Sequence, residues 1–206
     1  MILMYHKVDI ITPTIWWVMP EDFERQLTEL EGRDFVYLDD YDDPEAQAVI
    51  TFDDAYENVF RHAFPILQKR NIPFEVFVLG DFISGWNRFD PSEPLTRHMG
   101  LDQLLEMAEQ GGRMQWHSRS HPDLTKCDDS EILQELTIPD ALKSRFPSPH
   151  MRWFSYPGGA HDERSEGVAK ELFEGAVSVI DGRPGDRWQL NRVTVDQFTC
   201  FVPSTS

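Results

Sequence analysis

The chain has 206 residues and a formal charge of −17, long enough to bury a core without staples and too acidic to favour nucleic acid or an anionic membrane surface. Hydrophobic residues make up 40% of it, with 14 Phe and 6 Trp, which excludes a disordered chain. Cys127 and Cys200 have no motif spacing and read as free thiols. Residues 1–5 lack the length and basic flank of a signal peptide, and no apolar run approaches spanning length. The expectation is a single cytoplasmic domain over residues 1–206 with no membrane insertion; composition leaves the oligomeric state open.

Residues 2–6 read as a short buried strand ending in His6. A Pro-punctuated loop with Trp16 and Trp17 follows, then a helix opened by Pro20, with Phe23, Leu27 and Leu30 on its apolar face and Gly32 as its stop. Residues 35–38 form a candidate strand and 39–45 an acidic, solvated connector. Residues 48–52 are an apolar, β-branched run that ends abruptly in Asp53-Asp54. A helix over 57–70 carries Phe60, Phe64 and Leu67 inward, and a strand over 74–79 is closed by Gly80. The polar, Pro-rich residues 84–97 predict a long loop, where a substrate wall could sit.

Residues 101–110 predict a helix ended by Gly111-Gly112, and 113–116 a strand that leads into His117-Ser118-Arg119-Ser120-His121. A helix starts near 129 and breaks at Pro139. A strand over 153–156 ends at Pro157-Gly158-Gly159. Helix 166–173 and strands 176–180 and 190–195 complete the chain. Short apolar strands alternating with helices predict an α/β fold with a mainly parallel sheet. Asp53-Asp54, His117 and Tyr156 each fall at the C-terminal end of a predicted strand, the edge where such folds put their chemistry.

Adjacent carboxylates raise each other's cost of ionisation. A bound cation relieves that cost, and so does a proton-transfer task for one of the pair; the bland alternative is a pair of helix N-caps. His117 and His121 are four apart, a spacing that on one helical turn lets both bite a single cation. With Asp54 they make a two-histidine, one-carboxylate set. Non-haem iron oxygenases share that set, but the strand–helix alternation favours a hydrolytic metal. In the third stretch, from Arg152 to Gly159, a Pro-Gly-Gly turn lets backbone approach a ligand, and Arg152 is a candidate partner for a buried carboxylate.

Together these stretches resemble the polysaccharide deacetylases, the NodB-homology proteins of carbohydrate esterase family four. Thr51-Phe52-Asp53-Asp54-Ala55 matches their first motif with Ala55 in place of glycine. His117-Ser118-Arg119-Ser120-His121 matches the second, and Arg152 through Gly159 the third. The resemblance implies a distorted seven-stranded (β/α) barrel of the NodB-homology type with one divalent metal, usually zinc, on Asp54, His117 and His121. It implies Asp53 as general base, Arg152 as the partner that holds Asp53 ionised, and the backbone N–H of Tyr156 as an oxyanion donor. Trp16, Trp17, Trp86 and Trp153 are candidates to stack on sugar rings.

The family's fifth motif supplies a histidine as general acid, and no histidine follows His161. Arg192 stands near that point and could stabilise negative charge or orient the acyl group; its pKa is too high for a donor. His6, at the end of the first strand, is the better candidate for the acid. Asp53 returning its own proton is the other route. The fourth-motif region has Asp186-Arg187-Trp188 as its nearest match. The expected activity is removal of an acetyl or other small acyl group from an N-acylated carbohydrate. Hydrolysis of a small non-sugar amide and a silent carbohydrate-binding role are the alternatives.

Overall fold

The computed structural model describes residues 1–179 and 186–201. In chain order the strands are β1 (Ile2–Tyr5), β2 (Lys7–Val8), β3 (Trp17–Val18), β4 (Asp34–Phe35), β5 (Gln47–Phe52) and β6 (Phe74–Val78). They continue as β7 (Gly112–Trp116), β8 (Trp153–Ser155), β9 (Gly175–Ser178), β10 (Leu190–Asn191) and β11 (Val193–Thr194). The helices are α1 (Pro20–Glu29), α2 (Phe64–Arg70), α3 (Leu101–Glu109), α4 (Asp129–Leu136), α5 (Asp140–Lys143) and α6 (Glu163–Leu172).

The main sheet runs β10-β9-β8-β7-β6-β5-β1-β11 with every pair parallel. Only Arg192 separates β10 from β11, so these two segments share one position and close the ring. Eight segments therefore occupy seven positions, the distorted (β/α) barrel that the strand–helix alternation and the resemblance implied. Among the described residues no helix is long and apolar enough to cross a membrane.

Side chains on successive strand residues point to opposite faces, and two separate clusters result. Ile2, Val49, Phe77, Trp153 and Val177 pack with Leu38 inside the barrel. Leu3, Ile50, Val76, Met114 and Phe154 face outward, in one cluster with the buried faces of α1, α2, α3, α4 and α6. By the same parity Thr51, Asp53, Gln115, His117 and Ser155 point inward, and all five are fully or almost fully buried.

The floor of the barrel differs from expectation. The strand foreseen at 35–38 is only β4, and Leu38–Asp40 is a 3-10 turn. Asp39, expected in a solvated connector, instead accepts hydrogen bonds from Arg113 (2.7 Å), Arg152 (2.9 Å) and the Trp153 indole (2.9 Å). The chain returns to solvent at Asp40 and again from Asp42 to Ala46. The helix foreseen at 57–70 opens as a π turn over Val59–Ala63 before α2. Pro65 lacks the N–H that an α-helix would donate four residues back, and the wider turn accommodates that. The last residue of the strand foreseen at 176–180 lies outside the described residues.

Just above the floor Glu75 is fully buried. It accepts the Leu38 amide (2.9 Å) and the Gln115 side-chain amide (2.6 Å). The Gln115 carbonyl in turn accepts the amides of Arg152 (2.8 Å) and Trp153 (2.9 Å), locking β8 to β7. No cation pairs with Glu75 among the described residues, and burial pushes its pKa up from 4.5 to about 7. The folded state therefore holds a proton that the unfolded chain releases between those values, so stability falls as pH rises through that window. We expect Glu75→Gln to remove this fall. In denaturant titrations wild type should lose on the order of 3 kcal/mol relative to the variant from pH ~4.5 to ~7. Parallel stability curves would show that Glu75 stays ionised throughout.

Candidate active site

The C-terminal ends of β5, β7 and β8 and the closing strand meet above this core. At the end of β5 the Asp53 amide still donates to the Tyr5 carbonyl (2.9 Å), continuing the ladder. The chain then turns through two left-handed residues, Asp54 (φ 69) and Ala55 (φ 54). Neither is glycine, so each costs about 1–2 kcal/mol. The His98 ring holds the Asp54 carbonyl (2.6 Å) and the Met99 amide holds that of Ala55 (2.8 Å), which fixes the turn. Ala55 thus occupies a position where the family's glycine would be relaxed.

His117 follows β7, with its amide on the Val78 carbonyl (3.0 Å). Its Nδ1 lies 2.7 Å from the Ser155 carbonyl, a bond that requires Nδ1 to carry the proton and leaves the Nε2 lone pair free. That Nε2 is 3.5 Å from Asp54 Oδ1, and His121 Nε2 is 3.8 Å from the same oxygen. The histidines do not share a helical face, as the spacing suggested. Ser118 (φ 72) and His121 (φ 64) are left-handed, and Ser118 Oγ accepts the His121 amide at 3.0 Å. A tight turn brings the rings together, and Glu135 of α4 grips it through the amides of Arg119 (2.9 Å) and Ser120 (2.8 Å).

Asp54 Oδ1 is buried without a hydrogen-bond partner. An orphaned carboxylate oxygen facing two imidazole nitrogens is unfavourable unless a cation satisfies it. Potential ligand atoms of Asp54, His117 and His121 lie within 4.8 Å of one another. Burial holds His121 below its ordinary pKa, keeping it in the neutral form that ligates. The donor set fits a divalent metal.

Asp53 has a different partner from the one expected. Arg192 grips both its oxygens, at 2.7 and 2.6 Å, and also donates to Thr51 Oγ1 (3.1 Å) and Ser155 Oγ (2.8 Å). Burial alone would raise the Asp53 carboxyl, but the Arg192 guanidinium holds it well below the usual carboxylate range. Arg152 is at the opposite end of β8, on Asp39 and Glu174. Three residues of extended chain separate Arg152 from Ser155, about 10 Å, so a side chain at the foot of β8 serves the barrel floor. The Tyr156 amide is also committed elsewhere: it donates to the Val177 carbonyl at 3.2 Å as part of the ladder. Gly158, at φ 60, has an amide with no acceptor among the described residues and lies on the cavity wall.

A cavity of about 160 Å³ opens over these groups. His6 lines it, packed on Trp16 with ring centroids 4.8 Å apart, and burial lowers its pKa to about 4. Of the tryptophans, Trp16 reaches the cavity, Trp153 fills the barrel, Trp17 is buried, and Trp86 is exposed away from the cavity lining. Arg187 of the fourth-motif region covers Trp153 at the floor, 4.5 Å from its ring, outside the cavity. Sequence reasoning gave no role to His98, which lies outside the motifs, or to Thr51 and Ser155, which lie within them. Inward parity on β5 and β8 is the signal that could have found the last two.

A family model described as polysaccharide deacetylase matches residues 40–173. The chain belongs to the polysaccharide deacetylase family. The Bacillus subtilis protein YxkH, assigned by name to the same family, is 24% identical over 94% of this chain and 70% of its own length. Among solved structures, the Streptococcus pyogenes deacetylase PplD, in complex with acetate, superposes with a TM-score of 0.80. It is 23% identical, over 97% of this chain and 93% of PplD. IcaB from Ammonifex degensii gives 0.76 at 21% identity, over 94% and 91%. At these identities the likeness establishes the barrel and leaves the chemistry to the site itself.

The two arginines make opposite predictions. Arg192→Ala should lose at least on the order of 10²-fold in kcat/KM and move the acidic limb of its pH profile upward, because Asp53 loses the charge that keeps it ionised. Arg152→Ala should stay within a few-fold of wild type. Steady-state kinetics across pH separate them, and an inactive Arg152→Ala beside an active Arg192→Ala would reverse the assignment.

Proposed function

We propose that the chain is a metal-dependent hydrolase that removes an acetyl group from an N-acylated sugar or polysaccharide. The observation that carries this reading is the orphaned Asp54 Oδ1, set against two imidazole nitrogens and beside an ionised carboxylate. Asp54, His117 and His121 would hold one divalent cation, zinc by the resemblance. Bound there, it would supply Lewis acidity toward water and toward the acetamide carbonyl.

Asp53 takes a proton from the attacking water. Arg192 occupies one lone pair on each Asp53 oxygen and fixes the plane of the carboxylate, and Ser155 Oγ donates to Oδ2, which leaves Oδ1 as the less encumbered oxygen to take the proton. The Gly158 amide is the available donor for the developing oxyanion in the Pro157-Gly158-Gly159 turn. The leaving nitrogen needs a proton. Burial keeps His6 neutral at neutral pH, and Arg192 has its donors on Asp53, so Asp53 is the group that returns the proton it took. His6 then serves as a neutral wall against which Trp16 packs.

Acetate release from N-acetylglucosamine oligomers tests the activity, and its loss on chelation with recovery on adding zinc tests the metal. Binding without acetate release would instead identify a carbohydrate-binding protein, and release from small non-sugar amides alone would move the substrate class. Elemental analysis should find one metal per chain in wild type and a loss in Asp54→Ala and His121→Ala. Unchanged content in both would remove the site. Asp53→Asn should keep the metal and lose on the order of 10²–10⁴-fold in turnover. His6→Gln should remain near wild type with an unchanged basic limb; a steep loss together with disappearance of that limb would make His6 the acid.

A further inference from the structure

Loop 84–97 forms one wall of the cavity, and three sets of contacts hold it there. Asn87, almost fully buried, brackets its neck: its side chain accepts the Thr96 amide (2.7 Å) and donates to the Pro94 carbonyl (3.1 Å). Glu93 reaches across to the buried Lys7 (3.1 Å) and the Trp17 indole (2.9 Å). Phe89 packs on the His121 ring, with centroids 4.6 Å apart. A loop pinned at its neck, tip and face is pre-organised, which lowers the entropic cost of using it to bind.

Asp90 sits between Phe89 and Glu93 on this wall and lines the cavity. Its amide donates to the Asn87 carbonyl (3.1 Å), and Ser92 supplies its amide (3.1 Å) and hydroxyl (2.5 Å) to Oδ1. Oδ2 has no hydrogen-bond or ion-pair partner among the described residues. Of the other charges that line the cavity, Asp53 is matched by Arg192 and Lys7 by Glu93, while Asp54 turns its unpartnered Oδ1 to His117 and His121, the corner where a cation would sit. Away from that corner, Asp90 presents an oriented, unmatched acceptor to the cavity. Trp16, on the same cavity, offers an aromatic surface of the kind on which a pyranose ring packs.

We propose that Asp90 is a specificity-determining residue of this site, accepting through Oδ2 a hydrogen bond from a ring hydroxyl of the sugar whose acetamide lies at Asp53 and Asp54. This rests on the reading of the site as a sugar deacetylase. An ionised carboxylate can only accept, and a sugar hydroxyl is the donor its substrate carries. A carboxylate here also repels anionic sugars, so the site selects neutral N-acetylated residues over acidic ones.

The test pairs Asp90→Ala with N-acetylglucosamine trimers that lack one ring hydroxyl at the reacting residue. On the complete trimer the variant should lose about ten- to a hundred-fold in kcat/KM, chiefly through KM, at unchanged metal content. Wild type should lose a comparable factor on one of the deoxy trimers, and the variant should lose nothing further on that trimer. A variant as active as wild type overturns the assignment. So does a variant that loses the same additional factor on every deoxy trimer, which would mean that Asp90 only shapes the loop. If wild type releases no acetate from any N-acetylated sugar, the functional reading itself fails, and the assignment falls with it.

Discussion

The site depends on one buried ion pair. Arg192 and Asp53 face each other inside the barrel, each almost wholly out of water, where removing two charges from solvent is costly and a single broken partner costs ~3–5 kcal/mol. The pair is held by further hydrogen bonds, although Arg192 Nε is buried without a partner among the described residues. Thr51 and Ser155 accept from the guanidinium, and Ser155 Oγ also reaches Asp53 at 3.2 Å. Three strand positions, those of β5, β8 and the closing strand, are thereby tied to one carboxylate. The geometry of the proposed base is therefore a property of the barrel and not of a loop.

The ligand corner is built on the opposite plan. Asp54, Ala55, Ser118 and His121 all adopt left-handed backbone without being glycine, a conformation that survives only where surroundings impose it. His98 and Met99 impose it on the first pair, and Ser118 with Glu135 on the second. Strain held by buried hydrogen bonds sets three potential ligand atoms close together before any ion is considered. That closeness leaves Asp54 Oδ1 without a partner, a local deficit that a cation would remove.

Much of this was legible in the sequence, because apolar runs ending in polar residues mark strand ends in a parallel barrel. Asp53, Asp54, His117 and His121 fall where that pattern expects chemistry. What misled were assignments borrowed across strand length. Arg152 lies in the same motif as Tyr156, yet position along a strand decides which end of the barrel a residue serves, and Arg152 belongs to the floor. The Tyr156 amide was unreadable for a related reason: whether a backbone N–H is free depends on ladder register, and register is a property of two strands. Arg192 stood out as the wrong residue for an acid and as a possible stabiliser of negative charge on the substrate, not as a partner of Asp53. Its pairing with Asp53, 139 positions away, follows from ring closure, which no local pattern encodes. Asp39 was read as solvated because its neighbours are acidic, but three donors converge on it from β7 and β8.

The closing strand changes partner at Arg192, pairing with β9 on one side of it and with β1 on the other. Sealing the barrel and delivering the guanidinium are thus a single event. On a ribosome the ligand residues emerge well before the segment that completes the ring, so an incomplete chain can carry both histidines and both aspartates while Asp53 still lacks its counter-charge. Desolvated without Arg192, that carboxylate would favour the protonated form and be useless as a base. In the proposed mechanism, the base therefore becomes competent all at once and late, when the last strand closes the ring.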